Sequence, residues 1–345
     1  MYATTTPAAI ETELNNLIDL ALKFVQELQK RDSSSGTANG PFDAASFRTA
    51  INNGAKVLSH NATKLSLIAP EMSNDTPKVC VEMQTAVLHI AAVVESVPGY
   101  LGTTLQDEIR STTCSLLFDV ASLANNFLPT RRTLDTGSLN VGYMSSTGLV
   151  WKACEIVEKM SLTNGAAVAK KVKNRTALVE DAIEEVEETL ENGGGGGGED
   201  GWGDLMDQGQ SSELTDAEKE LAGKCLVIMK AAKLLLKKVA RTVEKDEPTP
   251  PPQQQDEEAG RMLDELVRLA DKTSERVDDL VGYIEHPIPS NELADAASLL
   301  AQTCAEVVST VKSLVDDEQT LSWFDTCGSQ VNKVLEDILA RRIVR

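Results

Sequence analysis

Six cysteines and three histidines are the side chains best suited to nucleophilic or metal chemistry in this 345-residue chain. Cys80, Cys114, Cys154, Cys225, Cys304 and Cys327 are widely scattered, with no C-x-x-C pair and no histidine at zinc-ligand spacing. Most lie among apolar residues at helical spacing, so they are expected to be reduced thiols packed as small hydrophobes. His60, His89 and His286 are isolated from one another, and neither G-x-S-x-G nor H-E-x-x-H accompanies them. The uninterrupted run Gly193 to Gly198 lacks the Gly-Lys-Ser/Thr ending of a phosphate loop. Glu199 and Asp200 follow it instead and would repel phosphate. These patterns give no catalytic, cofactor or metal site. A helical enzyme that gathers carboxylates from distant helices is a form of chemistry that spacing leaves open, and a tightly bound metal would mark it.

Binding chemistry is better represented. Residues 224–245 carry Lys224, Lys230, Lys233, Lys237, Lys238, Arg241 and Lys245 against one acid, Glu244, on a helix with a strong apolar stripe. Such a helix can hold an acidic partner, calmodulin or an anionic membrane surface. The plainer reading is a bundle helix whose cations complement its own C-terminal dipole and nearby acids. Glu180, Asp181, Glu184, Glu185, Glu187, Glu188 and Glu191 form its mirror image on another helix, as a solvated face or an electrostatic docking surface. Between the two, the stretch from Glu199 to Asp207 has no basic residue but contains Trp202, Leu205 and Met206, a mixture able to dock on a partner. Trp202, Leu205, Met206, Lys233, Lys237, Lys238 and Arg241 are therefore the candidate partner-binding residues. Lys170, Lys171, Lys173 and Arg175 read as helix surface rather than a nuclear address. Pro248 and Pro251 offer P-x-x-P spacing, although a spacer between helices is the simpler role.

The elements that must position these residues are helical. Aromatics are only 4% of the chain, hydrophobic residues 41% and charged residues 25%, which favours a globular helical protein over a β-rich or disordered one. The net charge of −20 disfavours direct nucleic-acid binding, which depends on displacing counterions with Lys and Arg. No window approaches the roughly 18 to 20 apolar residues of a membrane span, and no signal sequence is recognised, so a soluble, unsecreted protein is expected. Three- and four-residue apolar spacing places six helices before residue 193, with starts at Thr6–Pro7 and Thr76–Pro77 and a break at Pro98–Gly99. Thr215 and Glu218 have capping-box spacing and open a helix to about Lys245. Three more follow, separated by His286 to Pro289 and by the acidic turn around Asp317. The expected organisation is an N-terminal helical bundle at 1–192, a Gly-rich acidic linker at 193–213, and a C-terminal four-helix bundle at 214–345 with a Pro/Gln loop at 246–256. The three parts hold 16 basic and 23 acidic, 0 and 5, and 17 and 25 residues, so none is basic overall.

The stretch from Phe47 to Leu65, the Val150-Trp-Lys-Ala-Cys154 segment with Val179 to Glu185 downstream, and Cys225 through Lys238 occur in that order over most of the chain. Together they resemble the cyclin-D-binding (cyclin-D-interacting) protein family. The resemblance implies an all-helical, non-catalytic regulator of cell cycle and transcription. It would bind D-type cyclins and helix-loop-helix transcription factors, lack a DNA-binding basic region, and occupy cytoplasm and nucleus. The glycine run and the proline-glutamine segment depart from the family's pattern. Tandem antiparallel bundles of this size also resemble the helical modules of vinculin and talin, so a cytoskeletal or adhesion-type scaffold is the alternative function.

Overall fold

Aliphatic residues spaced three and four apart give each helix one face that must be buried, and the chain buries these faces in two separate cores. In the computed structural model, the residues described are 7–30, 42–71, 73–130, 142–191, 214–244 and 254–341, the side chains of 254–257 excepted. Among them are ten α-helices and no strand: α1 (Pro7–Lys30), α2 (Ala44–Ile68), α3 (Thr76–Glu95), α4 (Thr103–Asn125), α5 (Tyr143–Glu158), α6 (Asn164–Glu191), α7 (Asp216–Val243), α8 (Gln254–Val281), α9 (Ser290–Lys312) and α10 (Glu318–Leu339). The all-α fold expected from the sequence is what the chain adopts.

Of the described residues, those up to Ala167 form one compact unit, while those from Val168 to Glu244 and from Glu258 to Arg341 form the other. The division by packing thus falls before the boundary at residue 192 that the sequence suggests. Val168, Val172, Val179, Ile183 and Val186 of α6 are buried in the same core as α7 to α10, so the sixth helix belongs with the second unit by packing. Most of α6 thus shares the second core with α7 to α10, while Ala167 in its first turn is buried with α1 to α5. The glycine run lies outside the described residues, as does most of the Pro/Gln loop. The end of that loop, Gln254 to Asp256, is already the first turn of α8. Good helix formers followed by acids at the positive end of the helix dipole account for the early start.

In the first unit, α1 packs on α3 and α4, α2 packs on α3 and α5, and α5 closes the ring against α4. Leu14, Leu17, Ile51, Leu58, Met83, Ile90, Leu116 and Val157 are among the residues that fill its centre. By length and apolarity α3 could cross a membrane, contrary to the sequence expectation. In the fold, Cys80, Met83, Val87 and Ile90 of this helix point into the core instead. Gly54 makes its approach to α2 possible, since a Cβ there would lie 2.5 Å from the Ile90 side chain.

Local chemistry fixes where the helices begin. Asp43 caps α2 by accepting from the Ala45 and Ser46 N–H groups at 3.0 and 3.1 Å, and the Ser46 hydroxyl and these amides hold its carboxyl below the usual range. Gly102, before α4, has φ 99° and ψ 146°, a region essentially reserved for glycine, and a Cβ would collide with Asn164 at 2.2 Å. The closeness has a use: Asn164, opening α6, accepts the buried Leu105 N–H at 3.0 Å. In the second unit, Thr215 and Glu218 form the expected capping box. Glu218 also accepts the Ile288 N–H at 2.8 Å and lies 3.0 Å from His286 Nδ1, tying the α8–α9 connection to the start of α7. Burial alone would raise the Glu218 carboxyl. Hydrogen bonds from the Thr215 hydroxyl and N–H, the Ile288 N–H and His286 outweigh it and hold the group at about 2.

Gly102→Ala is expected to destabilise the protein by about 1–3 kcal/mol, read from urea unfolding, because strain and the Asn164 collision act together. Glu218→Gln is expected to cost roughly 1–3 kcal/mol near neutral pH. Because the folded carboxyl lies below its ordinary value, its contribution is complete above about pH 5 and disappears as pH falls toward about 2. Thermal unfolding of wild type and variant should therefore converge across that window. A constant difference would assign the loss to packing instead.

Candidate functional site

Four of the six thiols are covered in this fold. Cys80, Cys154, Cys225 and Cys304 are buried, and desolvation pushes each thiol up to about 12, far from the thiolate that nucleophilic chemistry needs. His89 Nε2 meets the Ala50 carbonyl at 3.2 Å and His286 meets Glu218, while His60 lies on the open side of α2. Among the described residues, no three His, Cys, Asp or Glu side chains gather as metal ligands. An open groove of about 510 Å³ between α2 and α5 places His60 near Cys154. That thiol donates to the Ala55 carbonyl at 3.3 Å and has no thiolate character. Trp151 walls the groove and donates its indole N–H to Thr63 at 3.1 Å.

The basic helix α7 is different, because its charges are laid out by its neighbours. Lys233 and Lys237 reach Glu180 of α6 at 3.3 and 3.2 Å, and Lys230 reaches Glu187 at 2.5 Å. Paired with Lys173 to Glu244 at 2.6 Å, these contacts set α6 and α7 antiparallel. Hydrogen bonds from Lys237 and Lys233 draw the Glu180 carboxyl below its ordinary value. On the other flank, Lys238 stands 5.8 Å from the centre of the Trp323 ring of α10, and the Cys327 thiol points to the Ala231 carbonyl at 4.0 Å. The acidic face of α6 is thus partly consumed inside its own unit. On α8, burial first, then the neighbouring Asp279, then Glu185 of α6 and Glu275 of α8 itself raise the Asp278 carboxyl.

Between the two flanks runs an outward ridge. Val227 and Leu234 are 50% and 55% exposed, one heptad apart, and Arg241 continues the line another heptad on. Of the residues singled out in the sequence, the structure places Arg241 on the ridge and Lys237 and Lys238 at its two edges, against Glu180 and Trp323, while Lys233 faces α6 and is largely covered. Trp202, Leu205 and Met206 lie outside the described residues. The sequence reading missed Val227 and Leu234. The available signal was that both fall off the stripe of Leu221, Cys225, Ile228, Ala232, Leu235 and Val239 that fills the core. Such a ridge of two aliphatic residues edged by cations can receive an acidic amphipathic segment.

Residues 50–192 match the N-terminal domain described as Grap2 and cyclin-D-interacting, and residues 198–309 match its C-terminal domain. The chain is similar to the cyclin-D1-binding protein 1 homolog of Danio rerio, 26% identical over 322 residues that cover 89% of this chain and 90% of that protein. It is 28% identical to the Xenopus laevis homolog over 84% of this chain and 87% of the relative. Similarity to human cyclin-D1-binding protein 1 is 24% over 84% and 83% of the two chains. With both domains matched in order along an all-helical chain, this protein belongs to the Grap2 and cyclin-D-interacting family.

Proposed function

We propose that this protein is a non-catalytic regulator that binds a D-type cyclin through the outward ridge of α7. Val227 and Leu234 serve as apolar anchors, and Lys237, Lys238 and Arg241 set encounter rate and selectivity at the rim. The observation that carries this reading is the exposure of two aliphatic residues one heptad apart on the most basic helix of a cyclin-D-interacting family member. Trp202, Leu205 and Met206 would add contacts from the acidic segment that precedes α7. Occupying the partner's helical surface would sequester it, restraining cell-cycle progression. The same ridge would take helix-loop-helix transcription factors, whose dimerising helices are also amphipathic, with action in both cytoplasm and nucleus.

Calorimetric titration of the full chain with a D-type cyclin is expected to give saturable binding that weakens between low and high salt, as rim charges are screened. Leu234→Asp should reduce affinity at least about tenfold while leaving the thermal midpoint unchanged, since the side chain is more than half exposed. Arg241→Glu should act mainly on the association rate and flatten the salt dependence. Binding by wild type that survives Leu234→Asp unchanged would place the cyclin site elsewhere on the molecule. No binding at all would reject the functional reading.

A further inference from the structure

Helix α3 carries more apolar surface than its own bundle uses. It is apolar enough to cross a membrane, yet only 44% of its most apolar window is buried. A helix apolar on all sides is normally enclosed on all sides. Its outer face, by contrast, is open along Lys78, Val81, Thr85, Leu88, Ala92 and Glu95, all of them exposed, with Val81 and Leu88 at 48% and 49%. The steps between them alternate three and four residues, the spacing of a helix-pairing seam. The Thr85 hydroxyl donates to the Val81 carbonyl at 2.9 Å, so covering this residue buries no unsatisfied polar group. Gly54 touching Ile90 and Lys64 pairing with Glu82 set α2 antiparallel to α3. Val57, 43% exposed and one turn from Gly54, therefore lies beside the middle of the stripe.

The two ends of the stripe say what covers it. Four uncharged residues are closed by Lys78 at one end and Glu95 at the other. If a second copy lies antiparallel across a two-fold axis between Thr85 and Leu88, Lys78 faces the other copy's Glu95, Val81 faces Ala92, and Thr85 faces Leu88. Every contact then occurs twice, as a two-fold interface requires. A parallel pairing would set Lys78 against Lys78 and Glu95 against Glu95, which like-charge repulsion disfavours. We infer that the outer face of α3 is a self-association surface on which a second copy of this chain docks antiparallel through Val81, Thr85, Leu88 and Ala92, its register fixed by Lys78 and Glu95. One helix seam is small beside a standard interface, so the dimer is weak and responds to concentration.

Sedimentation velocity of the full chain from about 1 to 200 µM, at low salt, tests this, with the weight-average mass expected to rise from the 37.1 kDa of one chain toward twice that value. Leu88→Glu, at an exposed position that leaves the core intact, should keep the protein monomeric throughout. Lys78→Glu or Glu95→Lys alone should weaken association about three- to tenfold by placing like charges at both ends. The double variant should restore it to within about twofold of wild type. Rescue by the double exchange is the signature of antiparallel register and separates the inference from a loss of folding. A monomer at every concentration, or a dimer indifferent to Leu88→Glu and to the charge exchanges, would overturn it. So would flotation of monomers with neutral phosphatidylcholine vesicles, which would assign the stripe to a lipid surface.

Discussion

Burial of aliphatic stripes is the constraint on which everything else in this protein rests. With few aromatics available, the cores are made mostly of Leu, Ile, Val, Ala and Met, with Phe47, Phe324 and four cysteines among them, each fully buried Leu, Ile or Val contributing about 1.5–3 kcal/mol. The ion pairs that join α6 to α7 are prominent by comparison, yet Lys230, Lys237, Glu180 and Glu187 are each about 40% exposed, and such pairs contribute roughly 0–1 kcal/mol. The charges therefore select which helix faces which, and in which direction, while the aliphatic stripes supply the stability. That division of labour explains how α7 can be basic without being a free cationic surface.

Helix existence and type were legible because capping and periodicity are local. Asp43, Thr215 with Glu218, and Asp317, which accepts the Thr320 N–H at 2.8 Å, stop or start helices through atoms within three residues of themselves. Which core α6 joins was not legible, because a stripe such as Val168, Val172, Val179 and Ile183 declares that one face will be buried without declaring against what. The glycine run marks a division after residue 192 in the sequence, whereas the packing of α6 divides the two cores at Ala167.

The same limit applied to the surface. Lys237, Lys238 and Arg241 were visible as charges, but their meaning depended on Glu180 and Trp323, 57 and 85 residues distant in sequence for Lys237 and Lys238, respectively. Val227 and Leu234, and likewise Val81 and Leu88, passed as ordinary apolar residues until the fold left them outside the core. Exposure is a property of the assembled bundle, and one sequence without its three-dimensional neighbours does not state it. Glu218 makes the point in the other direction. It was read as one half of a capping box, and the fold adds the α8–α9 connection to its duties.

The placement of α6 has a consequence for how the family's two sequence domains relate to folding. The N-terminal sequence domain runs through residue 192 and the C-terminal one starts at 198, so the helix that completes the second core is written in the first domain. A gene split at the glycine run would encode one product ending in a long helix severed from its partners and another with an uncovered wall of leucine and alanine. The two halves are therefore not interchangeable cassettes. Recombination at the join most obvious in the sequence would break the inheritance of a complete core.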